Sequence, residues 1–401
     1  MEDIISYKYQ EYPPTKETIG DLNVPNKDVI FDIDVGDGFM HSCNADVYMK
    51  YKLVEKSGTE YNEDAEVRAV DNFFAHMWSE MLVEKGDTII DRIEYPGITS
   101  TALGTCLLSK SQLYKYKMSG WVVLHFEGKD STGNLKKSKS TKEIIFRLKL
   151  LGGFFSGYKD VMYKGRLKIT FKRNNSDDMA MHVWGAGKPG KIEIKEMYIR
   201  IPVIKYEPAV EVKLKADLVK QPVSINFIKS KTVKSLISGN NCQIDLTNSC
   251  EFDMPEWVIF LFQTDRNNIN QKNYSAKFDH CKLKNAYFEN GRGETFSSGL
   301  KNLKISDNEY LKMYYAYTEL KRNVCNSDDV FYTFEEFIEQ RPMGVIDISK
   351  HIRGVDDGGT SKKLVLDFEN DVPAKTLCYI IMLGSNTFKY DIKNQRVIEH
   401  I

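Results

Sequence analysis

The 401-residue sequence lacks the segments that direct a chain to or through a membrane. No apolar run approaches the ~18 residues that a membrane-spanning helix requires. The first residues, MEDIISYKYQEYPP, have neither the basic segment nor the apolar core of a signal peptide. The sequence therefore predicts no transmembrane segment, and we expect synthesis in the cytosol or nucleus, where thiols stay reduced.

The motifs of common enzyme classes are missing as well. The sequence has no GxSxG nucleophile elbow, Walker phosphate loop, HExxH or CxxC motif. Gly185, Gly187 and Gly190 do spell GxGxxG, but Pro189 interrupts the motif and a strand-like IEI follows it. A dinucleotide site would need a helix to begin there, so these glycines are predicted to form a hairpin turn. We expect no catalytic and no cofactor-binding residues.

Metal binding has equally little support, because the seven cysteines are irregularly spaced. The set closest to a metal site is Cys242, Cys250, His280 and Cys281. That set lacks the closely spaced pairs that are typical of zinc sites. His41 and Cys43 lie two residues apart, but they would supply only two ligands. We interpret these thiols as ordinary buried or edge cysteines, and we expect no metal.

The charge of the sequence is balanced, with 56 basic and 56 acidic residues and a formal net charge of zero. Such a chain has no overall attraction to nucleic acid or to an anionic membrane, so sequence-specific nucleic-acid binding is not expected. Hydrophobic residues make up 42% of the sequence and aromatic residues 12%, which is sufficient for folded cores. At ~150 residues per domain, the length allows two or three domains.

One stretch near the middle of the chain divides it. Residues 191–203 alternate apolar and polar side chains with one change of phase, which predicts a strand with a β-bulge. A charged segment bounded by Pro208 and Pro222 follows, and strand-like alternation then resumes. These boundaries predict an N-terminal arm at 1–27, a β-domain at 28–207, a connector at 208–222 and a second β-domain at 223–401. The proline-rich arm is expected to be extended, and either held by a neighbour or loosely ordered.

Helical periodicity interrupts the strands in both halves. Residues 62–81 carry an apolar stripe that predicts a core-facing helix. The stripe consists of Val67, Val70, Phe73, Phe74, Met77, Trp78 and Met81. A second helix is predicted from about Ile98 to Leu108. Further on, the pairs Ser306/Glu309 and Thr333/Glu336 have capping-box spacing and predict two more helices.

A lysine-rich tract lies at residues 128–142, after a strand predicted from Trp121 to Phe126. We interpret the tract as a solvated loop between strands. A nuclear-import signal and a phosphate-contacting loop are the alternatives.

The order and the residue patterns of these segments resemble those of a known family. MPEWVIFLFQTDRNN, NYSAKFDHCKLKNAYFENG, a Tyr-rich helix and MGVIDIS follow one another as in the C-terminal jelly roll of the major capsid proteins of Polinton/Maverick elements and adintoviruses. In the first half, VDNFFAHMWSEMLVEKGDTIID, FRLKLLGGFFSGYKDVMYKGRLKITFKR and EMYIRIPVIKYEPAVEV are similar to the same family. The family belongs to the double jelly-roll lineage of the adenovirus hexon. The resemblance, over roughly residues 60–400, implies an all-β fold of two consecutive eight-stranded antiparallel jelly rolls with a few inserted helices.

The same resemblance implies a structural function. The expected protein is a major capsid protein that forms homotrimers, which act as pseudo-hexameric capsomers in an icosahedral shell around double-stranded DNA. Its expected partners are copies of itself and, through the arm at 1–27, penton or minor capsid proteins. The expected location is the virion, after synthesis in the cytoplasm, with assembly there or in the nucleus.

Two alternatives stay open on the sequence. A lectin-like protein with two sandwiches would present exposed tryptophans or paired carboxylates along a groove; the four tryptophans are Trp78, Trp121, Trp184 and Trp257. A cellular scaffold, including a domesticated copy of a capsid gene, is the other alternative. The polar loop before NYSAKF is short and lacks the Asn-Pro expected of the family, which leaves open whether the chain is a working capsid protein or a diverged, domesticated copy.

Overall fold

The computed structural model describes residues 4–62, 65–121, 141–266, 271–350 and 361–400. Most of the lysine-rich tract at 128–142, and most of the strand predicted at 121–126, lie outside these residues.

Strands dominate the described residues. The strands before residue 207 are β1 (Ile4–Tyr12), β2 (Asp28–Asp34), β3 (Phe39–Met40), β4 (Asp46–Glu55), β5 (Val67–Ala69), β6 (Trp78–Lys85), β7 (Thr88–Glu94), β8 (Lys142–Arg147), β9 (Met162–Tyr163), β10 (Arg166–Arg173), β11 (Met181–Val183) and β12 (Gly190–Tyr206). The later strands are β13 (Val223–Ile237), β14 (Asn241–Asp245), β15 (Trp257–Thr264), β16 (Leu283–Glu289), β17 (Thr295–Phe296), β18 (Gly344–Asp347), β19 (Lys363–Phe368), β20 (Thr376–Asp391) and β21 (Arg396–His400).

Helices are fewer and mostly short. They are α1 (Phe73–His76), α2 (Pro96–Leu107), α3 (Lys110–Tyr116), α4 (Gly153–Gly157), α5 (Pro208–Lys220), α6 (Leu311–Cys325) and α7 (Phe334–Gln340). Single 3-10 turns lie at Ile19–Asp21, Ser42–Asn44, Lys117–Ser119, Leu148–Leu151 and Ile305–Asp307.

The strands of the first half form two main sheets. One has the order β8-β4-β12-β3-β9, with β1 also paired to β12, and the other has the order β2-β10-β6-β7. Between them, the ring of Phe74 lies 4.5 Å from that of Phe146 on β8 and 5.9 Å from that of Phe171 on β10. Phe74 therefore joins the two sheets across one aromatic core.

The strands of the second half repeat this arrangement. One sheet has the order β13-β20-β15-β18, with β21 beside β20, and the other has the order β14-β19-β16-β17. Phe262 of β15 and Phe368 of β19 meet edge to face at 5.3 Å between the sheets. Strand β15 is buried from Trp257 to Gln263, which agrees with its continuous apolar run.

Two antiparallel sheets that pack face to face form a sandwich of the jelly-roll type, and the chain contains two of them. The all-β double jelly roll with a few inserted helices is therefore confirmed. Among the described residues, both sandwiches contain more than the eight strands expected. The first has ten, because β1 and the two-residue strands β3 and β9 extend its larger sheet, and the second has nine, with β21 paired to β20.

The chain folds into two compact units. The first contains Met1–Ser100, Tyr116–Lys229 and Ser385–Ile401, and the second contains Thr101–Lys115 and Ser230–Gly384. Each unit thus draws residues from both halves of the sequence. The predicted connector folds as helix α5, whose first residue is Pro208; proline fits this position because the N–H that it lacks would have no partner in the helix. The domain boundaries drawn from the sequence remain a prediction.

In the first unit, the entrance to α4 depends on a glycine. Gly153 has a φ of +59°, and a Cβ at this position would collide with the Asp91 carboxylate. The next residue, Phe154, donates its backbone N–H to Asp91 Oδ2 at 2.8 Å. The close approach of the backbone to Asp91 therefore requires a residue without a side chain.

In the second unit, a buried tyrosine joins two helices to a loop. The Tyr317 hydroxyl on α6 donates to the backbone carbonyl of Thr105 on α2 at 3.1 Å. It also accepts from the backbone N–H groups of Phe331 and Tyr332, at 3.2 and 3.4 Å. One side chain thus satisfies three backbone groups inside the unit.

The helix predicted at 62–81 is wrong. The described residues of this segment form β5, the single turn α1 and the start of β6. Every member of the predicted stripe is buried, so the pattern identified the core but not the backbone conformation. Asn72 enters the left-handed region at φ +56° before α1, and the stripe is rich in aromatic and β-branched residues, which favour strands.

Only one of the two predicted capping boxes forms. The Thr333 hydroxyl accepts from Glu336 N at 3.3 Å, and the Glu336 carboxylate accepts from Thr333 N at 3.0 Å, at the start of α7. The box at Ser306/Glu309 is wrong, because Ser306 lies in a 3-10 turn and donates its hydroxyl to Glu369 at 2.7 Å. Helix α6 begins later, at Leu311.

Two predictions from the middle of the chain hold, and one detail changes. The β-bulge in β12 is confirmed by a register shift between Ile194 and Glu196. Gly185 and Gly187 lie in the turn between β11 and β12, as predicted, and Gly190 is the first residue of β12. The turn is not a hairpin, however, because β11 pairs with β5 and β12 pairs with β4. Helix α2 also confirms the helix predicted near residues 98–108.

Candidate assembly surface

The cysteines singled out from the sequence make separate local contacts. Among the described residues, no group of three or more His, Cys, Asp or Glu side chains is arranged to hold a metal. The Cys242 thiol donates to the carbonyl of Ser238 at 3.0 Å, and the Cys250 thiol to that of Phe252 at 3.3 Å. Burial raises the pKa of the Cys281 thiol to about 12, so this group stays protonated at neutral pH.

His41 and Cys43 do lie together, in and beside the 3-10 turn at Ser42–Asn44. Cys43 Sγ is 3.1 Å from His41 Nε2, which also lies 3.0 Å from the carbonyl oxygen of Lys159. On its other side, His41 Nδ1 lies 3.2 Å from the hydroxyl of Tyr7 on β1. Burial raises the pKa of the Cys43 thiol, and a protonated thiol is a poor nucleophile. The pair therefore serves to fix β1 against the turn.

The tryptophans do not form the platform that a lectin-like protein would need. Trp78, Trp121 and Trp257 are each at most 4% exposed. Trp184 is half-buried, with the His182 ring stacked at 5.9 Å. Sugar binding by stacking on exposed indole rings therefore has no support from these four residues.

Within the arm predicted at 1–27, residues 4–12 are paired with their own chain. Strand β1 runs antiparallel to the end of β12, with Tyr12 opposite Ile199 and Ile4 opposite Tyr206. Among the described strands, β12 is its pairing partner, so β1 forms an edge of the sheet. The segment is extended, as expected, and residues 4–12 pair with β12 of the same chain.

A row of tyrosines, half-buried on β4 and β12 and exposed on β1, crosses this sheet. We name it the tyrosine surface; its members are Tyr7, Tyr9, Tyr48, Tyr198 and Arg200. Tyr48 and Tyr198 lie directly opposite each other on β4 and β12, and their rings stack at 4.7 Å. Two residues along β12, the Arg200 guanidinium lies 5.4 Å from the centre of the Tyr9 ring, and the Tyr7 ring follows at 6.3 Å from that of Tyr9.

Fixed charges hold the tyrosine surface in place. Arg200 Nε donates to Asp46 at 2.7 Å, and this hydrogen bond raises the pKa of Arg200. The Tyr48 hydroxyl donates to Glu143 of β8 at 2.9 Å. Burial, with Glu143 as the next cause, raises the pKa of Tyr48, so its hydroxyl is a neutral donor under physiological conditions.

These properties fit protein contact better than catalysis. Tyrosine and arginine are enriched in the cores of protein interfaces, because a rigid ring buries a large apolar area at a low cost in side-chain entropy. Tyr7 and Tyr9 are 41% and 43% exposed, and the residues next to them on the strand are polar. The surface therefore offers apolar area that folding of the single chain leaves uncovered.

The sequence carried a partial signal for this surface. Ile5, Tyr7 and Tyr9 alternate with Ser6 and Lys8, which is a strand pattern within the segment that we interpreted as an extended arm. The contacts across the sheet had no such signal, because they require the register between strands that are distant in sequence.

No helix among the described residues is long and apolar enough to span a membrane.

Comparison with known families gives one match across most of the chain. The pattern of the double jelly roll-like domain matches residues 67–387. No curated protein matches the sequence.

Several solved structures share the fold of the whole chain. A chain of the Sputnik virophage, solved by cryo-EM, superposes with a TM-score of 0.63 at 9% identity, over 99% of this chain and 89% of that chain. The PBCV-1 virus capsid, a quasi-atomic structure, gives 0.58 at 10% identity, over 96% and 94% of the two chains. The major capsid protein of mavirus gives 0.56 at 8% identity, over 97% and 89%. At these identities the likeness is one of fold.

Proposed function

The chain belongs to the double jelly roll-like family, and from this premise we propose that it is a major capsid protein that assembles with copies of itself. One observation carries the proposal. Both sandwiches, and not only one of them, superpose on the major capsid protein of mavirus over 97% of this chain. A single shared sandwich would be compatible with many functions, whereas the tandem pair matches the whole subunit of a shell.

The proposed assembly follows from two sandwiches in one chain. A homotrimer has six such lobes, and six lobes form a pseudo-hexameric capsomer that tiles an icosahedral shell, like the hexon. Obligate contacts of this kind bury on the order of 2,000–5,000 Å². The tyrosine surface is proposed to lie in a contact between copies. No catalytic residue, cofactor or metal is part of the proposal.

The proposed setting is the virion of a virus with a double-stranded DNA genome, of the Polinton/Maverick type. The neutral net charge suits a shell whose DNA is neutralised by other proteins. Neighbouring trimers are the proposed main partners, and penton or minor capsid proteins meet the arm at 1–27. The chain is proposed to be made in the cytoplasm, with assembly there or in the nucleus.

The decisive experiment is the mass of the purified protein by light scattering, followed by negative-stain imaging of the same peak. A mass near three times 46.2 kDa, with pseudo-hexagonal particles or shells, is the expected result. A monomer that never assembles at any concentration or salt would contradict the capsid function and favour a cellular scaffold.

A pair of variants connects this assay to the tyrosine surface. Tyr9→Ser with Tyr198→Ser removes two of its rings and is expected to reduce the fraction of assembled protein. The matched control is Tyr315→Ser on α6, which removes a ring that is 56% exposed but lies outside the tyrosine surface. Equal assembly by both variants would remove this surface from the proposed contacts.

A further inference from the structure

The N-terminal arm consists of two parts that are held very differently. Residues 14–27 are anchored by specific contacts: Asn23 exchanges two hydrogen bonds with the backbone of Ile194, at 2.9 and 2.7 Å. Leu22 and Thr18 are buried, and the backbone N–H of Thr15 donates to the carbonyl of Ile30 at 2.8 Å. This part stays with its own subunit.

Strand β1, in contrast, is held by its backbone ladder with β12 and by surface contacts of its tyrosines, such as those of the Tyr7 hydroxyl with His41 and Asn44. Tyr12 is its one buried residue, at the end next to the anchor. Ile5, Tyr7 and Tyr9 are 59%, 41% and 43% exposed. Removing the strand therefore uncovers little of its own apolar side-chain area, and what is lost is a ladder of backbone hydrogen bonds together with the polar contacts of Tyr7.

Pro13 and Pro14 separate the two parts. Two consecutive prolines restrict the backbone and cannot extend the ladder, so β1 ends there and the chain has a defined pivot. Nine residues of extended chain reach about 30 Å from that pivot. The strand is thus long enough to meet a subunit that packs alongside.

We propose that β1 exchanges between copies of this chain, so that residues 4–12 of one subunit pair with the edge of β12 at Ile199–Tyr206 of its neighbour. The inference rests on the proposed assembly into a shell. The occupant of the edge follows from the structure itself, because β12 already recognises this nine-residue segment in a defined register. The same segment of a second copy is complementary to it without any new contact.

The pairing of β1 within one subunit and its pairing between subunits also form the same hydrogen bonds. Every hydrogen bond broken within a subunit is formed again between subunits, as in domain swapping. In dilute solution β12 pairs with the β1 of its own chain, because the effective concentration of this tethered strand is high. The proposed exchange requires a shell in which the neighbouring edge lies within the reach of β1; the two arrangements then compete, and exchange links subunits without covering additional surface.

Disulfide trapping tests this proposal directly. Lys8 lies opposite Val203 in the register of β1 and β12, and residues opposed in an antiparallel pair have Cα separations of about 4.5–5.5 Å, within disulfide range. One copy would carry Lys8→Cys and a differently tagged copy Val203→Cys, both with the exposed Cys325 changed to serine. The copies are mixed, assembled and oxidised, and the cross-linked peptide is identified by mass spectrometry.

A disulfide between the two tags in shells, but not in the dissociated subunits, is the expected result. Lys8→Cys mixed with Lys191→Cys, at the far end of β12, is the matched control and should give at least tenfold less product. Shells that form normally with no cross-link above this control would overturn the exchange and leave the capsid function intact. If the unmodified chain forms no shells, both proposals fall.

A second variant gives an independent answer. The two cysteines placed in one chain, and oxidised before assembly, lock β1 to its own β12. We expect this locked protein to form trimers but several-fold fewer shells, with recovery after reduction. An undiminished shell yield from the locked protein would overturn the exchange.

Discussion

Lys85 of β6 places its ammonium group inside the first unit, where its contacts are two backbone carbonyls and an aromatic ring. Nζ lies 3.3 Å from the carbonyl oxygen of Lys164, 3.1 Å from that of Arg166 and 4.3 Å from the centre of the Tyr390 ring. The residue is 1% exposed. This burial lowers the pKa of Lys85 to about 7, and the charge of Asp34 opposes the shift only in part.

The sign and size of the effect on stability follow from proton linkage. In the unfolded chain a lysine has a pKa near 10.4. Between about pH 7 and pH 10, the unfolded state therefore holds one proton that the folded state lacks, so the free energy of unfolding rises with pH. The rise due to Lys85 is about 2 kcal/mol from pH 7 to pH 9, at up to ~1.4 kcal/mol per pH unit. Below pH 6 both states are protonated and the slope disappears.

The variant Lys85→Met removes this titration while it keeps most of the volume. We expect its free energy of unfolding, compared with that of the unchanged chain, to lose about 2 kcal/mol of the rise between pH 7 and pH 9. The assay is urea unfolding at half-unit pH steps, followed by tryptophan fluorescence. A Trp257→Phe background leaves three tryptophans, all within the first unit, so the signal reports that unit.

Lys168→Met is the matched control, because Lys168 is exposed and paired with Glu84 at 3.0 Å. This control should keep the slope of the unchanged chain. Other groups that titrate in this range are common to all the proteins and cancel in the difference. A Lys85→Met protein with an unaltered pH slope would refute the reasoning, since it would mean that the ammonium is solvated in the folded state.

Three further predictions concern stability. Tyr317→Phe removes one hydroxyl that satisfies three backbone groups, so it should cost about 2 kcal/mol in urea unfolding. Gly153→Ala should cost more than ~3 kcal/mol of unfolding free energy, because the backbone strain at positive φ adds to the overlap of the new Cβ with Asp91. Gly58→Ala, at φ +92° in open space, has the strain alone and should cost ~1–2 kcal/mol. Equal losses of the two variants in thermal unfolding would contradict this. Thr333→Ala should lose about 1 kcal/mol of capping energy, and Ser306→Ala less than ~0.5 kcal/mol, as measured by urea unfolding with hydrogen exchange at each helix start.

Burial was the most predictable property of this chain. The stripe from Val67 to Met81 was recognised as core and is core, yet it alternates between strands and a single helical turn. Phe73, Phe74, Met77 and Trp78 satisfy the spacing of a helix, but the same residues also fill the space between two sheets. Apolar spacing reports which side chains leave water; in a short segment, tertiary packing decides the backbone conformation.

Short sequence patterns predicted the structure correctly where the hydrogen bonds that they imply join residues close in sequence. The box at Thr333 and Glu336 needs only one helical turn, so its spacing was sufficient. The identical spacing at Ser306 and Glu309 failed, because Glu369, which is distant in sequence, takes the Ser306 hydroxyl. The bulge in β12 was visible as a phase change, since the pleat itself imposes the alternation.

The tyrosine surface, which we propose as a contact between copies, was harder to predict than the fold. Tyr48 and Tyr198 become a stacked pair only when β4 and β12 take one register, and Arg200 reaches Tyr9 only because β1 adds to the edge. An enzyme needs particular groups at fixed distances, and that demand leaves motifs in the sequence. A contact between subunits needs complementary area, which many different side chains can supply. A chain whose function is to assemble can therefore keep its sandwiches while its sequence changes, and its contact surface becomes recognisable only after the strands have been placed side by side.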